Sequence, residues 1–154
     1  MKKTFTNGVD KAEILGRLGR LSPDAQRQWG KMTAHQMICH LIDSHRLPMG
    51  ERKVADKSNF ATRTLVKLVA LRAPMQWPHG VKTVPEFDQA AGAGTAPSVF
   101  ERDRTQLLQV IDRFTAEQRD FQFARHPIFG GMSEWEWMRW AYLHADHHLR
   151  QFEL

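Results

Sequence analysis

The chain has one cysteine, Cys39, so no internal disulfide can form and the paired-cysteine zinc sites are excluded. A lone thiol of this kind is expected to be buried and inert, in keeping with a reducing compartment. No apolar run approaches the roughly 18 to 20 residues of a membrane span, and no apolar stretch of a signal peptide follows Lys2 and Lys3. The expectation is a soluble, cytoplasmic protein without a membrane partner. There is no glycine-rich phosphate loop and no nucleophile elbow, so phosphoryl transfer and serine hydrolysis have no support. Period-two alternation is missing at any useful length, as are repeats and low-complexity segments, which removes the β classes. Charge of one sign is not clustered either. The formal charge of +5 comes from 22 Lys and Arg against 17 Asp and Glu, which alternate as in Lys11, Glu13, Arg17 or Glu101, Arg102, Asp103, Arg104. Nucleic-acid binding calls for a basic stripe, and none is present.

What is there is helix. With 42% apolar residues and 154 residues in all, the chain can bury one core, and a single domain over 1–154 is expected. Residues 9–21 carry Ile14, Leu15, Leu18 and Leu21 at helical spacing, with Pro23 beyond. Thr33 with Gln36 forms a capping box that opens a second helix, whose core face is Met37, His40, Leu41 and Ser44 and whose end is marked by Pro48 and Gly50. Residues 58–73 are apolar enough for a buried or half-buried helix. Residues 74–97 hold four prolines and three glycines and read as an irregular segment, a candidate pocket wall. Residues 98–114 form an amphipathic helix. Ser133 with Glu136 is a second capping box, opening a last helix that runs to about Gln151. The fold class is all-α: four main helices in a bundle, one additional short helix and a long irregular connection.

The chemistry concentrates in that last helix, in the run His144, Ala145, Asp146, His147, His148. His144 and His148 stand one turn apart on one face, which is metal-ligand spacing, and Trp137, Trp140 and Ala141 lie on or beside that face. His40 belongs to the predicted core face of the second helix, and bundles build metal sites from inward side chains on facing helices. Three imidazoles suit Zn, Ni or Fe and leave positions open for water or substrate. The spacing alone also fits histidines satisfied by hydrogen bonds in a non-catalytic bundle that binds a small ligand or partner. His147, one residue before His148, is a candidate general base or supporting group, and as an alternative a helix-flank histidine bonded to a carbonyl. Asp43 and Gln36 flank His40 by one turn on either side. Gln36 is occupied by its capping box, which leaves Asp43 as the group to orient an imidazole. His35 and His45 project away from His40 and are expected at the surface. His79 and His126 fall in loops as candidate pocket contacts, and Trp137 and Trp140 are expected in the core, with substrate stacking as the alternative.

The block Trp29, Gly30, Lys31, Met32, Thr33, Ala34, His35, Gln36, Met37, running on to His40, Leu41 and Asp43, carries a family resemblance. So do His126, Pro127, Phe129 and Gly130 before Trp135, and the stretch from Tyr142 to Phe152. Over nearly its whole length the chain resembles the DinB-like superfamily, in particular its DUF1569 branch. The resemblance implies a four-helix bundle of up-down-down-up type in which His40, His144 and His148 ligate a divalent metal. It further implies a metal-dependent enzyme, with thiol-dependent transferases among its relatives, a low-molecular-weight thiol as co-substrate, and a homodimer for which the apolar residues from Phe60 to Leu71 would serve.

Overall fold

A computed structural model describes residues 2–154 and is all-helical, with no strand among the described residues. Four long helices make the frame: α1 (Gly8–Arg20), α2 (Ala34–Arg46), α4 (Phe100–Phe114) and α5 (Glu134–Arg150), with the short α3 (Lys67–Arg72) between the second and third of them. Both capping boxes are present. Thr33 Oγ1 accepts from the Gln36 amide at 3.2 Å while the Thr33 amide donates to Gln36 Oε1 at 2.9 Å. Ser133 Oγ accepts from the Glu136 amide at 3.3 Å, and the Ser133 amide donates to Glu136 Oε2 at 2.8 Å. Each box satisfies two amides that a helix start leaves without partners, and so sets the residue at which α2 and α5 begin. None of the helices among the described residues is long and apolar enough to cross a membrane.

Helix α2 is the centre of the molecule. It packs on α4, on α5 and on two short 3-10 turns, Pro85–Phe87 and Gln89–Ala91, while α1 and α3 pack on α5. From Met37 to His45 every residue of α2 is buried, and Met37, Ile38, Leu41 and Ile42 are wholly inaccessible. Burial on all sides overrides the one-sided amphipathic pattern of its sequence, and this corrects the expectation for His45. That side chain is fully buried, its Nδ1 on the Leu41 carbonyl at 2.8 Å and its ring edge-on to Phe114. Desolvation pushes its pKa down to about 4. His126 is buried in the turn before α5, where its Nδ1 accepts from the Ile128 and Phe129 amides, both at 3.1 Å, and burial lowers its pKa to about 3. Cys39 is buried as expected, its thiol pushed up to about 12 by burial and by the carboxylates of Asp103 and Asp43.

The segment expected as a buried or half-buried helix departs from that reading. It is a π-helical turn, Thr62–Val66, continued by α3, and Phe60, Leu65, Val66, Leu68 and Val69 are all exposed, leaving Leu71 as the buried residue of α3. A π turn widens the helix and rotates the residues after it, so the apolar stripe written at normal helical spacing no longer lands on the core.

Two expectations follow. Replacing Ser133 by Ala lowers unfolding free energy by about 1 kcal/mol, read as a shift of the urea midpoint at unchanged slope. Because the folded pKa values of His126 and His45 lie below the ordinary 6.5, their stabilising contribution is complete above pH 6.5 and is lost as pH falls toward 3 to 4. Each such group steepens the acid limb by up to about 1.4 kcal/mol per pH unit. His126→Asn, which keeps an acceptor but does not titrate, flattens that limb in urea titrations between pH 6.5 and 4; an unchanged slope would show that His126 already binds its proton in the fold.

Candidate metal centre

His40 lies midway along α2, and His144 and His148 lie one turn apart on α5 where the two helices face each other. Their Nε2 atoms converge. His144 Nε2 is 3.2 Å from His40 Nε2 and 3.1 Å from His148 Nε2, and the three rings meet edge to face with centroids 4.7 to 5.1 Å apart. Two imidazole nitrogens that share an ion at about 2.0 to 2.1 Å stand roughly 2.9 to 3.4 Å from each other, so the spacing fits a common ion. His40 and His148 are buried and His144 is half-buried.

The outer nitrogens decide which atoms carry protons. His40 Nδ1 is 3.1 Å from the Phe87 carbonyl oxygen and His148 Nδ1 is 2.7 Å from Gln151 Oε1. Both partners accept, so both histidines carry their proton on Nδ1 and turn a bare Nε2 lone pair toward His144. This is the outer support that a metal-ligating imidazole requires. His144 stacks on Trp140 at 4.7 Å, and its Nδ1 is sealed from solvent without a partner. Burial drives the pKa of all three below the ordinary value, helped for His144 and His148 by the neighbouring imidazoles, so the trio is neutral and free to donate lone pairs at pH 7.

Asp43 stands elsewhere than expected. Its carboxylate is wholly buried and is taken by the Thr95 amide at 2.7 Å, the Thr95 hydroxyl at 2.8 Å and Arg52 at 2.8 Å. It touches neither ring nitrogen of His40; the group that orients His40 is the Phe87 carbonyl. Asp43 instead ties α2 to the irregular segment, and a Cβ on Gly94 (φ +80°) would sit 2.7 Å from its Oδ2. Gln36 keeps to its capping box and also donates to the Gln89 carbonyl at 3.1 Å. His147 is buried beside the cluster with an unpartnered Nδ1, and burial lowers its pKa to about 4.

Two participants, Gln151 and Phe87, have roles that the sequence pattern does not assign, and a third, Trp140, is core as expected and adds a contact to His144. Gln151 follows His148 by three residues, a same-face spacing that could have revealed it. Its side chain fits because residue 30 is glycine: a Cβ there would lie 2.6 Å from Gln151 Nε2. Phe87 acts through its backbone carbonyl, which no side-chain pattern announces. Trp140, expected as core, stacks on His144 and walls a cavity.

Two cavities flank the cluster. One, of about 630 Å³, runs from His40 and His144 past Trp140 and Phe129 to α3 and the irregular segment, which is a pocket wall as expected; His126 lines it as well. The other, of about 710 Å³, is lined by His147, His148, Gln151, Lys31, Lys82 and Asp88, and by Trp29 with His79 stacked on it at 3.8 Å. A second group, His35, Cys39 and Asp103, also lies close together. There, Asp103 is taken by His35 at 2.7 Å and by the Ser98 amide and hydroxyl, and the thiol is held protonated, so the donors are spent on each other. His35 is thus a half-buried hydrogen-bond partner of Asp103 rather than a free surface group.

No curated protein and no solved structure shows a significant match to this chain. The family model described as "Protein of unknown function (DUF1569)" matches residues 4–154, a span that includes every residue of the histidine cluster and of both cavities. The chain belongs to the DUF1569 family.

Proposed function

We propose that His40, His144 and His148 hold a divalent ion, Zn, Ni or Fe, and that the chain is a metalloenzyme of the DinB-like superfamily transferring a group to or from a low-molecular-weight thiol. The observation that carries this reading is the convergence of three Nε2 atoms whose outer nitrogens, on His40 and His148, are committed to acceptor oxygens. When bound, such an ion supplies Lewis acidity, lowering the pKa of a thiol or water toward neutrality.

The chain's own residues supply position and environment. The Phe87 carbonyl and Gln151 fix two rings, and Trp140 fixes the third. The polar cavity, with Lys31 and Lys82 at its wall, suits a charged thiol. His147 borders that cavity as a neutral imidazole, in place to accept the proton the thiol gives up. The sulfur–carbon bond then forms as the bond from carbon to the leaving group breaks, and that group departs with the electron pair.

Protein purified without an affinity tag is expected to carry close to one ion per chain by elemental analysis, and His144→Ala to carry almost none while keeping its helical circular dichroism. A stoichiometry near zero for the wild-type chain, even after reloading with each of the three metals, sinks the reading. A second outcome separates positioning from ligation: Gln151→Leu lowers metal affinity about 10- to 100-fold in competition with a chelator, without abolishing it. Unchanged affinity would mean that His148 does not need its Nδ1 partner.

A further inference from the structure

The cavity of about 630 Å³ has no part in the thiol side of this reading, yet its walls are built with a consistent chemistry. Among the described residues nine large apolar side chains are left exposed, and five of them, Leu65, Val66, Val69, Met75 and Val81, line this one cavity. Apolar residues scattered singly over a surface need no explanation, whereas a contiguous set at the mouth of a cavity marks a binding surface. The inner wall continues in kind, with Phe87, Phe129, Trp140 and Leu47. Two of the five mouth residues, Leu65 and Val66, sit on the π-helical turn, an irregularity that gives up regular hydrogen bonding and is found mostly at functional sites.

The polar groups are few and placed unevenly. His126 has its Nδ1 occupied by two backbone amides, and Ser44 Oγ lies 3.4 Å from His40 Nε2. The polar side chains on the lining are therefore His40 and His144 with Ser44 beside them, His126 through its Nε2, and Gln76, Lys82 and Thr83. A space of a few hundred Å³, mostly apolar, with a small polar group at one end orients a ligand that is itself apolar along its body and polar at one end. A charged body would lose its hydration there without gaining a partner.

We infer that this cavity seats the hydrocarbon body of a small amphiphile, the electrophilic partner of the proposed transfer, with its polar end at His40 and His144. The identification of that ligand as the reaction partner rests on the metal reading; the apolar seat itself does not. The same surface could instead bury a second copy of the chain, but the concave shape and the histidines at its inner end favour a molecule that enters.

The test uses full-length protein in two forms, chelator-treated and zinc-loaded. A neutral fluorescent naphthylamine is displaced from the chelator-treated protein by hexanol, octanol and decanol. Affinity is expected to rise about 3- to 4-fold per methylene, the increment of apolar transfer from water. Val66→Asp with Val69→Asp, both at half-exposed positions, should flatten the series while circular dichroism and the urea midpoint show an intact fold. Affinity independent of chain length, or failure of the folded wild-type protein to bind the dye, overturns the inference. So does a double variant that changes only the sedimentation coefficient, because the patch would then be a self-association surface. On the zinc-loaded form, alkyl hydroxamates of the same lengths should bind tighter than the alcohols through their metal-seeking head. If zinc does not bind but the alcohol series still climbs, the metal reading fails and the apolar seat stands. Zinc binding with a flat series gives the reverse.

Discussion

Two neutral imidazoles satisfy each other by sharing one proton, but three whose Nε2 atoms converge do not. With the protons of His40 and His148 committed outward to Phe87 and Gln151, only His144 has one left to point inward. If it does, one of the two facing lone pairs gains a donor, the Ser44 hydroxyl at 3.4 Å can serve His40 Nε2, and His144 Nδ1 becomes a buried acceptor without a partner. If it does not, three lone pairs face one another at 3.1 to 3.2 Å. Either arrangement leaves at least one buried polar group unsatisfied, at a cost of about 1 to 3 kcal/mol. Protonating the trio is opposed by burial, which holds all three pKa values down. Three converging nitrogens of this kind could hold a metal ion, and the placement of α2 against α5 is what brings them together.

The remainder of the molecule holds this arrangement in register. The position of His40 depends on where α2 begins, which its capping box sets, and on the Phe87 carbonyl, which belongs to a segment with almost no regular structure of its own. That segment is tied to α2 by a carboxylate: Asp43, three residues beyond His40, binds both the amide and the hydroxyl of Thr95 and takes Arg52 as counter-ion. A buried carboxylate so fully satisfied can anchor a loop without the penalty of an unpaired charge. The same helix thus presents a donor to the cluster and, one turn later, fixes the loop that orients that donor.

Much of this was readable in the residues, and the exceptions have physical causes. The two capping boxes and the proline and glycine punctuation located α2, α5 and the irregular segment closely, since local hydrogen bonding and backbone restriction act within a few residues. The pairing of His144 with His148 followed from helical periodicity, and His40 from its place among Met37 and Leu41. His45 was misplaced because a helix buried on every side has no surface face for periodicity to find. Asp43 was misread because a carboxylate one turn from a histidine looks the same in sequence whether it faces the ring or a loop fifty residues away. Phe87 was invisible, since a backbone carbonyl is carried by every residue type. The exposed stripe of α3 follows a π turn, which shifts the register that an ordinary helical spacing assumes.

The run from His144 to His148 shows how one turn of helix separates tasks by direction alone. His144 and His148 face α2. Asp146, on another side, accepts from Arg17 at 2.8 Å and from Arg150 at 2.9 Å and so pins α5 to α1. Ala145 is fully buried, and His147 turns into the polar cavity. The apolar cavity reaches His144 from its other side, where Trp140 covers the ring. Six residues border both spaces: His40, Trp77, Val81, Lys82, Thr83 and His144. The two spaces therefore meet at the same nitrogens and share the wall formed by Trp77 and residues 81–83.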